Sequence, residues 1–141
     1  MPAKSQTPLW DILQEFDAES MLAPSGAVAL TLTSGGAPWA LGAKVQFIAA
    51  GAETTVFHCR AATLSSPDAN AEYEVQLFKG APGAEVKIAE FAFVRTDVQN
   101  RSSFITFSSA QLPAGTRVSC ALRDSVGGSS VHLKLGYHRH P

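Results

Sequence analysis

The chain has 141 residues, a length that suits one domain with a buried core and excludes an array of several domains. Its formal net charge is −1, its pI is about 6.4 and its basic residues form no cluster, which excludes the electrostatic footprint of a nucleic-acid-binding protein. Charged residues make up 16% of the chain, below the roughly 25% usual in soluble domains. Small neutral residues replace them. They suit close packing between subunits, although the alanine bias of proteins from a GC-rich genome is an equal explanation.

The first segment, residues 1–26, is expected to form an arm or a short helix. Thr7 suits the cap of a helix over residues 8–19, and Pro8 suits its first turn. Apolar residues at i, i+3, i+4 and i+7 form one stripe of this helix. The stripe packs either on its own domain or on another protein. The residues expected to dock it on a partner are Leu9, Trp10, Ile12, Leu13 and Phe16.

The N-terminal residues contain no apolar run long enough for a signal peptide or a membrane span. We therefore expect a protein that is made in a cytoplasm, stays soluble and does not contact a membrane. Cys59 and Cys120 fall at expected inward strand positions and have no metal-binding spacing. A disulfide between them is the less favoured alternative, because no export signal points to an oxidising compartment.

Residues 27–141 are expected to form one sandwich domain, and its first half contains three strands. They are expected over residues 27–33, 44–49 and 54–62, with turns between them. In the third strand, Phe57 and Cys59 share one face with Thr55, and the opposite face carries Val56, His58 and Arg60.

The second half of the chain alternates apolar and polar residues most clearly. Tyr73, Val75 and Leu77 are expected to face inward, before a hairpin at residues 80–85. A change of parity predicts a β-bulge near residues 89–90. Residues 124–130, centred on Gly127 and Gly128, predict a tight hairpin. The remaining inward residues are Val118, Cys120, Leu122, Val131, Leu133, Leu135 and Tyr137, and the outward ones are Arg117, Ser119 and Arg123.

Strands separated by regularly spaced turns predict an all-β fold. We expect a single antiparallel β-sandwich, jelly-roll-like, with the short N-terminal helix or arm attached. The pattern does not distinguish a jelly-roll strand order from an immunoglobulin-like one.

Three turns and the strands beside them carry a family resemblance. They are residues 73–79 running into Gly80-Ala81-Pro82-Gly83-Ala84-Glu85, then Leu112-Pro113-Ala114-Gly115-Thr116-Arg117-Val118, and then Gly127-Gly128-Ser129-Ser130-Val131-His132-Leu133. A little under half of the chain thus resembles the β-sandwich virion proteins of tailed bacteriophages. The resemblance implies a particle component, either a capsid decoration protein, a head fibre or a tail accessory protein.

The histidines near the C-terminus are the first candidates for chemistry. His132, His138 and His140 share a strand face, an arrangement that suits a divalent ion such as Zn²⁺ or Ni²⁺. No fourth ligand is evident, so we predict a polar edge or a contact with a neighbour, with no metal and no cofactor. Across a symmetry axis, such histidines would make that contact sensitive to pH.

Catalytic patterns are missing from the sequence. It has no G-x-S-x-G nucleophile elbow, and no Lys-Ser/Thr pair follows the glycines of residues 80–85. Glu72 and Glu74 share a strand face, but paired outward carboxylates usually form a solvated surface and not a glycosidase site. We therefore predict a protein that is not an enzyme and has no catalytic residues.

The sequence and the resemblance together predict a structural protein of a phage virion, made in the host cytoplasm. The first choice is a capsid decoration or cement protein, a homotrimer that binds the major capsid protein or other virion proteins and stabilises the assembled head. The residues expected in self-association are Arg117, Arg123, Tyr137 and His138. The alternatives are a neck, tail accessory or fibre-attachment protein, and a carbohydrate-binding module, which would need an exposed Trp39.

Overall fold

A computed structural model describes residues 20–25, 28–95 and 103–140. Nine β-strands lie in these ranges: β1 (Ser20–Ala23), β2 (Leu30–Thr33), β3 (Val45–Ile48), β4 (Val56–Ser65), β5 (Ala71–Lys79), β6 (Val86–Arg95), β7 (Ser103–Thr106), β8 (Val118–Asp124) and β9 (Ser130–His140). None of the described residues belongs to a helix that is long and apolar enough to cross a membrane.

The strands form two antiparallel sheets that pack as a sandwich. The five-stranded sheet has the order β1-β9-β4-β7, and β2 pairs with the other part of β9. The four-stranded sheet has the order β3-β8-β5-β6. With β1 and β2 sharing the place of one strand, this is the jelly-roll order. The predicted all-β sandwich is confirmed.

The inward faces of the two sheets form one hydrophobic core. Val75, Leu77 and Leu122 from one sheet and Leu133 and Leu135 from the other are completely buried, as the alternation predicted. Fully burying one such side chain contributes about 1.5–3 kcal/mol. Stacked and edge-on rings add to this core, namely Phe57 on Tyr137, Tyr73 on Phe93 and Phe91 on Phe107.

Both cysteines belong to this core. Cys59 and Cys120 are free and buried. Burial raises the pKa of the Cys59 thiol to about 12 and raises that of Cys120 well above its ordinary value. Both side chains therefore remain neutral thiols that pack as small hydrophobic groups.

The strand boundaries and registers differ from the prediction in several places. Residues 20–23, assigned to the arm, form β1 and pair with β9, so the sandwich begins before residue 27. The predicted helix over residues 8–19 lies outside the described residues. The bulge expected near residues 89–90 is at Ile88, because Leu77 pairs with Ala89 and Phe78 pairs with Lys87. Ser119, expected outside, is fully buried.

Residues 124–130 were predicted to form a hairpin, and that prediction is wrong. They carry the chain from β8 in one sheet to β9 in the other. The crossing is fixed by Asp124, which is fully buried and accepts hydrogen bonds from the hydroxyls of Ser34 and Ser129, both at 2.6 Å. The Gly127 backbone N–H also donates to this carboxylate, at 3.0 Å, from a positive φ of 86°. The buried carboxyl group thus has hydrogen-bond partners from the turn and from the distant Ser34.

Candidate functional site

One end of the sandwich gathers the features most suited to binding. At this end β1 begins and β9 ends. The connecting segments found there are residues 49–55, 80–85 and 107–117. We call it the terminal end. Backbone hydrogen bonds join these segments, from Gly51 to Gly115, from Gly115 to Glu53 and from Gly80 to Arg117. The terminal end is therefore a connected surface.

An open groove of about 510 Å³ lies in this surface. Most of the residues that line it are small and apolar, with Ala50, Ala81, Pro82, Ala84 and Pro113 among them. They belong to two of the three turns that carry the sequence resemblance and to the segment after β3. Small side chains allow the backbone of a partner to approach closely, so the groove suits packing against a protein surface.

Arg117 forms the polar edge of the groove. Its guanidinium donates to Gln46 Oε1 at 2.8 Å, to the carbonyl of Gly80 at 3.0 Å and to Glu85 Oε2 at 3.4 Å. Its side chain is only 11% exposed. These bonds fix the 80–85 turn against β3 and β8, and they hold Arg117 within its own chain.

A second polar cluster joins β9 to the segment after β3. Glu53 is 4% exposed and accepts hydrogen bonds from the Tyr137 hydroxyl at 2.7 Å and from Arg139 Nε at 2.6 Å. The bond from Arg139 is the main cause that lowers the pKa of Glu53. Burial, and then the bond to Glu53, raise the pKa of Tyr137 to about 12. A cavity of about 390 Å³ beside this cluster is lined by β1, residues 47–49, Tyr137 and Arg139.

This cluster gives a testable dependence of stability on pH. Since folding lowers the pKa of Glu53 below its ordinary value of 4.5, its contribution is present above that value and is lost as the pH falls through the folded pKa. Glu53→Gln is therefore expected to be less stable than the wild type at neutral pH, and the difference is expected to shrink as the pH falls below 4.5. Urea unfolding at a series of pH values measures this. The exposed Glu72→Gln is the control, and a difference for Glu53→Gln that stays constant with pH would contradict the assignment.

Three histidines lie on the outer face of the five-stranded sheet at the terminal end. His58 of β4 pairs directly opposite His138 of β9, and His140 follows two residues later on the same face. His58 Nδ1 and His140 Nε2 are 2.7 Å apart, and one nitrogen from each of the three rings lies within 4.8 Å of the others. Burial lowers the pKa of His58, and the charges of His140, His138 and Arg60 lower it further. The His58 ring is therefore neutral near pH 7.

The residues that the sequence predicted for docking and self-association lie in different places. Leu9, Trp10, Ile12, Leu13 and Phe16 lie outside the described residues. Arg117 and Tyr137 make the intramolecular contacts given above, and Tyr137 is only 6% exposed. Arg123 donates to Glu74 Oε1 at 2.7 Å. Of the histidines expected to share a face, His138 and His140 meet, whereas His132 pairs with Ser65 farther along the sheet.

Sequence reasoning missed His58 as the third member of the histidine cluster. The alternation within β4 placed His58 outward correctly, but only the pairing of β4 with β9 brings it opposite His138. One sequence signal was available. His58 lies near the start of β4 and His138 near the end of β9, both on outward faces, and antiparallel pairing of β4 with β9 brings these two ends together.

Trp39 lies in the segment between β2 and β3 and is 44% exposed. The Arg123 guanidinium lies 5.7 Å from the centre of its ring, a cation–π contact. Its backbone has a positive φ of 62° and donates to the carbonyl of Asp124 at 2.7 Å. The ring is thus held at the surface beside the Arg123 guanidinium, at the end of the sandwich opposite the terminal end.

Comparison with known proteins identifies no family, since no family model and no curated protein matches the sequence. Several solved structures are similar. Eiger TNF from S. frugiperda is 12% identical over 86% of this chain and 92% of that one, with a TM-score of 0.44. A chain of the T13 IBDV viral particle is 11% identical over 86% of this chain and 31% of that one, with a TM-score of 0.47. The carbohydrate-binding module CBM6cm-2 of Cellvibrio mixtus lichenase 5A, solved with cellotriose, is 14% identical over 84% of this chain and 92% of that one, with a TM-score of 0.41.

These likenesses concern the β-sandwich alone. The chain spans less than a third of the length of the IBDV chain. Proteins of virus particles and carbohydrate-binding modules both occur among the similar structures.

Proposed function

We propose that this chain is a non-enzymatic structural protein of a phage virion, a capsid decoration or cement protein that binds the major capsid protein of the assembled head. The observation that carries the proposal is the terminal end. The segment of residues 1–19 precedes Ser20, which pairs with His138 near the end of β9, and the small-residue groove opens at the same end of the sandwich. The chain before Ser20 is thus attached at the end that carries the groove, and both are proposed to contact the same partner.

The proposed mechanism is physical. A sandwich that seats its terminal end across a joint between capsid subunits buries the groove and the stripe of the arm, and so resists separation of those subunits. Each contact contributes little free energy, but symmetry repeats it over the whole head. A homotrimer is part of the proposal, because linking three weak sites raises their combined affinity. Light scattering after size exclusion measures this oligomeric state.

Co-sedimentation with heads of the phage that encodes the chain tests the proposed surface. Ala81→Glu places a charge in the groove, and an unpaired charge at a buried interface costs about 3–5 kcal/mol, or roughly a hundredfold or more in affinity. Val126→Glu is the matched control, because Val126 is 50% exposed at the opposite end. We expect Ala81→Glu to lose binding and Val126→Glu to bind as the wild type does. Equal binding by the two variants would contradict the proposal.

Removing residues 1–19 tests the arm. We expect the truncated chain, which keeps β1, to fold as the wild type does and to fail to load onto heads. Circular dichroism measures folding and co-sedimentation measures loading. A folded truncation that loads normally would show that the arm has no part in docking.

Carbohydrate binding is the second candidate, and the exposure of Trp39 is the observation that favours it. Aromatic rings at the surface of a sandwich stack on sugar rings. Tryptophan fluorescence separates the two candidates, measured on a Trp10→Phe chain so that Trp39 is the remaining tryptophan. The virion proposal predicts no change on addition of oligosaccharides such as cellotriose. Saturable quenching that Trp39→Ala abolishes would favour the carbohydrate-binding module.

A further inference from the structure

The histidine cluster of His58, His138 and His140 is separate from the groove and needs its own explanation. Three imidazoles on one patch of a sheet are unusual for a surface that contacts only solvent. The rings contact one another: His58 stacks on His140 with centroids 4.9 Å apart, and His138 meets both rings edge-on at 5.6 and 4.9 Å. All three side chains are half-buried, so the surrounding strands limit their conformations.

We propose that His58, His138 and His140 form a binding site for a divalent transition-metal ion of the Zn²⁺ class, with the fourth coordination position open. Imidazole nitrogens are favoured ligands of such ions. In a tetrahedral site with Zn–N bonds of 2.0–2.1 Å, the ligand nitrogens are about 3.3 Å apart. Here they lie within 4.8 Å of one another, and His58 Nδ1 and His140 Nε2 are 2.7 Å apart. Ring rotations that move each nitrogen by about an ångström would reach the required geometry.

The strand pairing explains why three ligands come together from two short sequence segments. His58 and His138 are directly opposite in an antiparallel pair, where side chains on the same face lie closest. His140 extends the same face beyond them. A ligand set fixed by the register of two strands is better ordered than one carried by a loop.

Two features determine the expected strength of the site. Arg60 places a positive charge near His58, which opposes the binding of a cation. The three protein ligands also leave one position for water or for a group from another molecule. We therefore expect weaker binding than at closed sites with four protein ligands.

The metal site is tested by titrating the untagged full-length chain with Zn²⁺ in a calorimeter and in competition with a chromogenic chelator. We expect one ion per chain, and Ala substitutions of His58, His138 and His140 are each expected to weaken binding by at least about tenfold. His132→Ala is the matched control, since His132 lies on the same strand but is exposed and outside the cluster. It is expected to bind Zn²⁺ as the wild type does.

Titration with Co²⁺ supplies a readout that reports the ligands directly. Bound Co²⁺ in a distorted tetrahedral site is expected to give visible absorption bands that disappear in each of the three cluster variants. His58→Gln replaces His58→Ala if the latter fails to fold, as judged by circular dichroism without metal. Absence of saturable Zn²⁺ binding, or an equal loss in His132→Ala, would overturn the proposal. The test does not depend on phage heads, so its result is independent of the proposed virion function.

Discussion

Asp124→Ala is expected to lower the free energy of unfolding by about 3–5 kcal/mol, because three hydrogen-bond donors in the interior lose their acceptor. The wild-type carboxylate is fully buried and accepts hydrogen bonds from the Ser34 and Ser129 hydroxyls and from the Gly127 N–H. Without it, these three donors lose their acceptor in the interior, and each unpaired group costs about 1–3 kcal/mol unless it finds another partner. The turn that carries the chain between the sheets would loosen as a result.

Urea unfolding of three variants measures the effect of Asp124. Asp124→Asn keeps the shape but removes one acceptor oxygen, and we expect it to lie between the wild type and Asp124→Ala. Asp68→Ala is the control, because the exposed Asp68 accepts only one hydrogen bond from this turn, from the Ser130 N–H at 2.8 Å. A cost of about 1 kcal/mol or less is expected for it. Equal losses for Asp68→Ala and Asp124→Ala would show that the buried network does not fix the crossing.

Gly42→Ala is the second substitution with a large expected effect. A Cβ atom at residue 42 would overlap the carbonyl oxygen of Thr33 and lie 2.8 Å from its carbonyl carbon. Both neighbours are backbone atoms and cannot rotate away. The Gly42 N–H also donates to the Leu122 carbonyl at 2.8 Å, so the segment cannot move outward without losing this bond. We expect a loss of about 3 kcal/mol, the upper part of the range for overpacking.

Gly36→Ala is the control for this substitution. Gly36 lies in the same connection between β2 and β3, and a Cβ atom there would meet nothing within 4 Å. We expect its midpoint of thermal unfolding to stay within a few degrees of the wild type, whereas that of Gly42→Ala falls by roughly 10 °C. Similar midpoints for the two variants would mean that the close approach of Gly42 to Thr33 is not needed.

Local alternation predicted the fold well where strands carry regular inward residues. Tyr73, Val75 and Leu77 in β5 are all buried, and so is every inward residue predicted for β8 and β9. Each of these strands has one face against the core, so apolar residues occur at every second position of its sequence. The all-β class follows from this pattern.

Features that depend on pairing between distant strands were not predictable. Residues 124–130 have the composition of a hairpin, but Ser34, far away in sequence, helps to fix them as a crossing between sheets. The four residues of β1 are too few for a periodic signal, and their strand character comes from pairing with β9. His58 joined the histidine cluster for the same reason, because register places it opposite His138.

The candidate site, like the fold, was predictable only in part. The sequence resemblance rests partly on the turn residues 80–85 and 112–118, and most of these residues line the groove. Their meeting with residues 49–55 at one end depends on the jelly-roll topology and not on any local pattern. Arg117 and Arg123, expected to bind other subunits, have acidic partners in their own chain, Glu85 and Glu74. Their role in self-association stays a prediction.

The proposed role as a virion protein is tested most directly by the protein content of purified particles. Quantitative mass spectrometry of purified heads, from the phage proposed to encode this chain, measures the number of copies per major capsid protein. We expect the chain in a fixed ratio to the major capsid protein, retained through density-gradient purification. A chain that is abundant in infected cells but absent from purified particles would contradict the proposal.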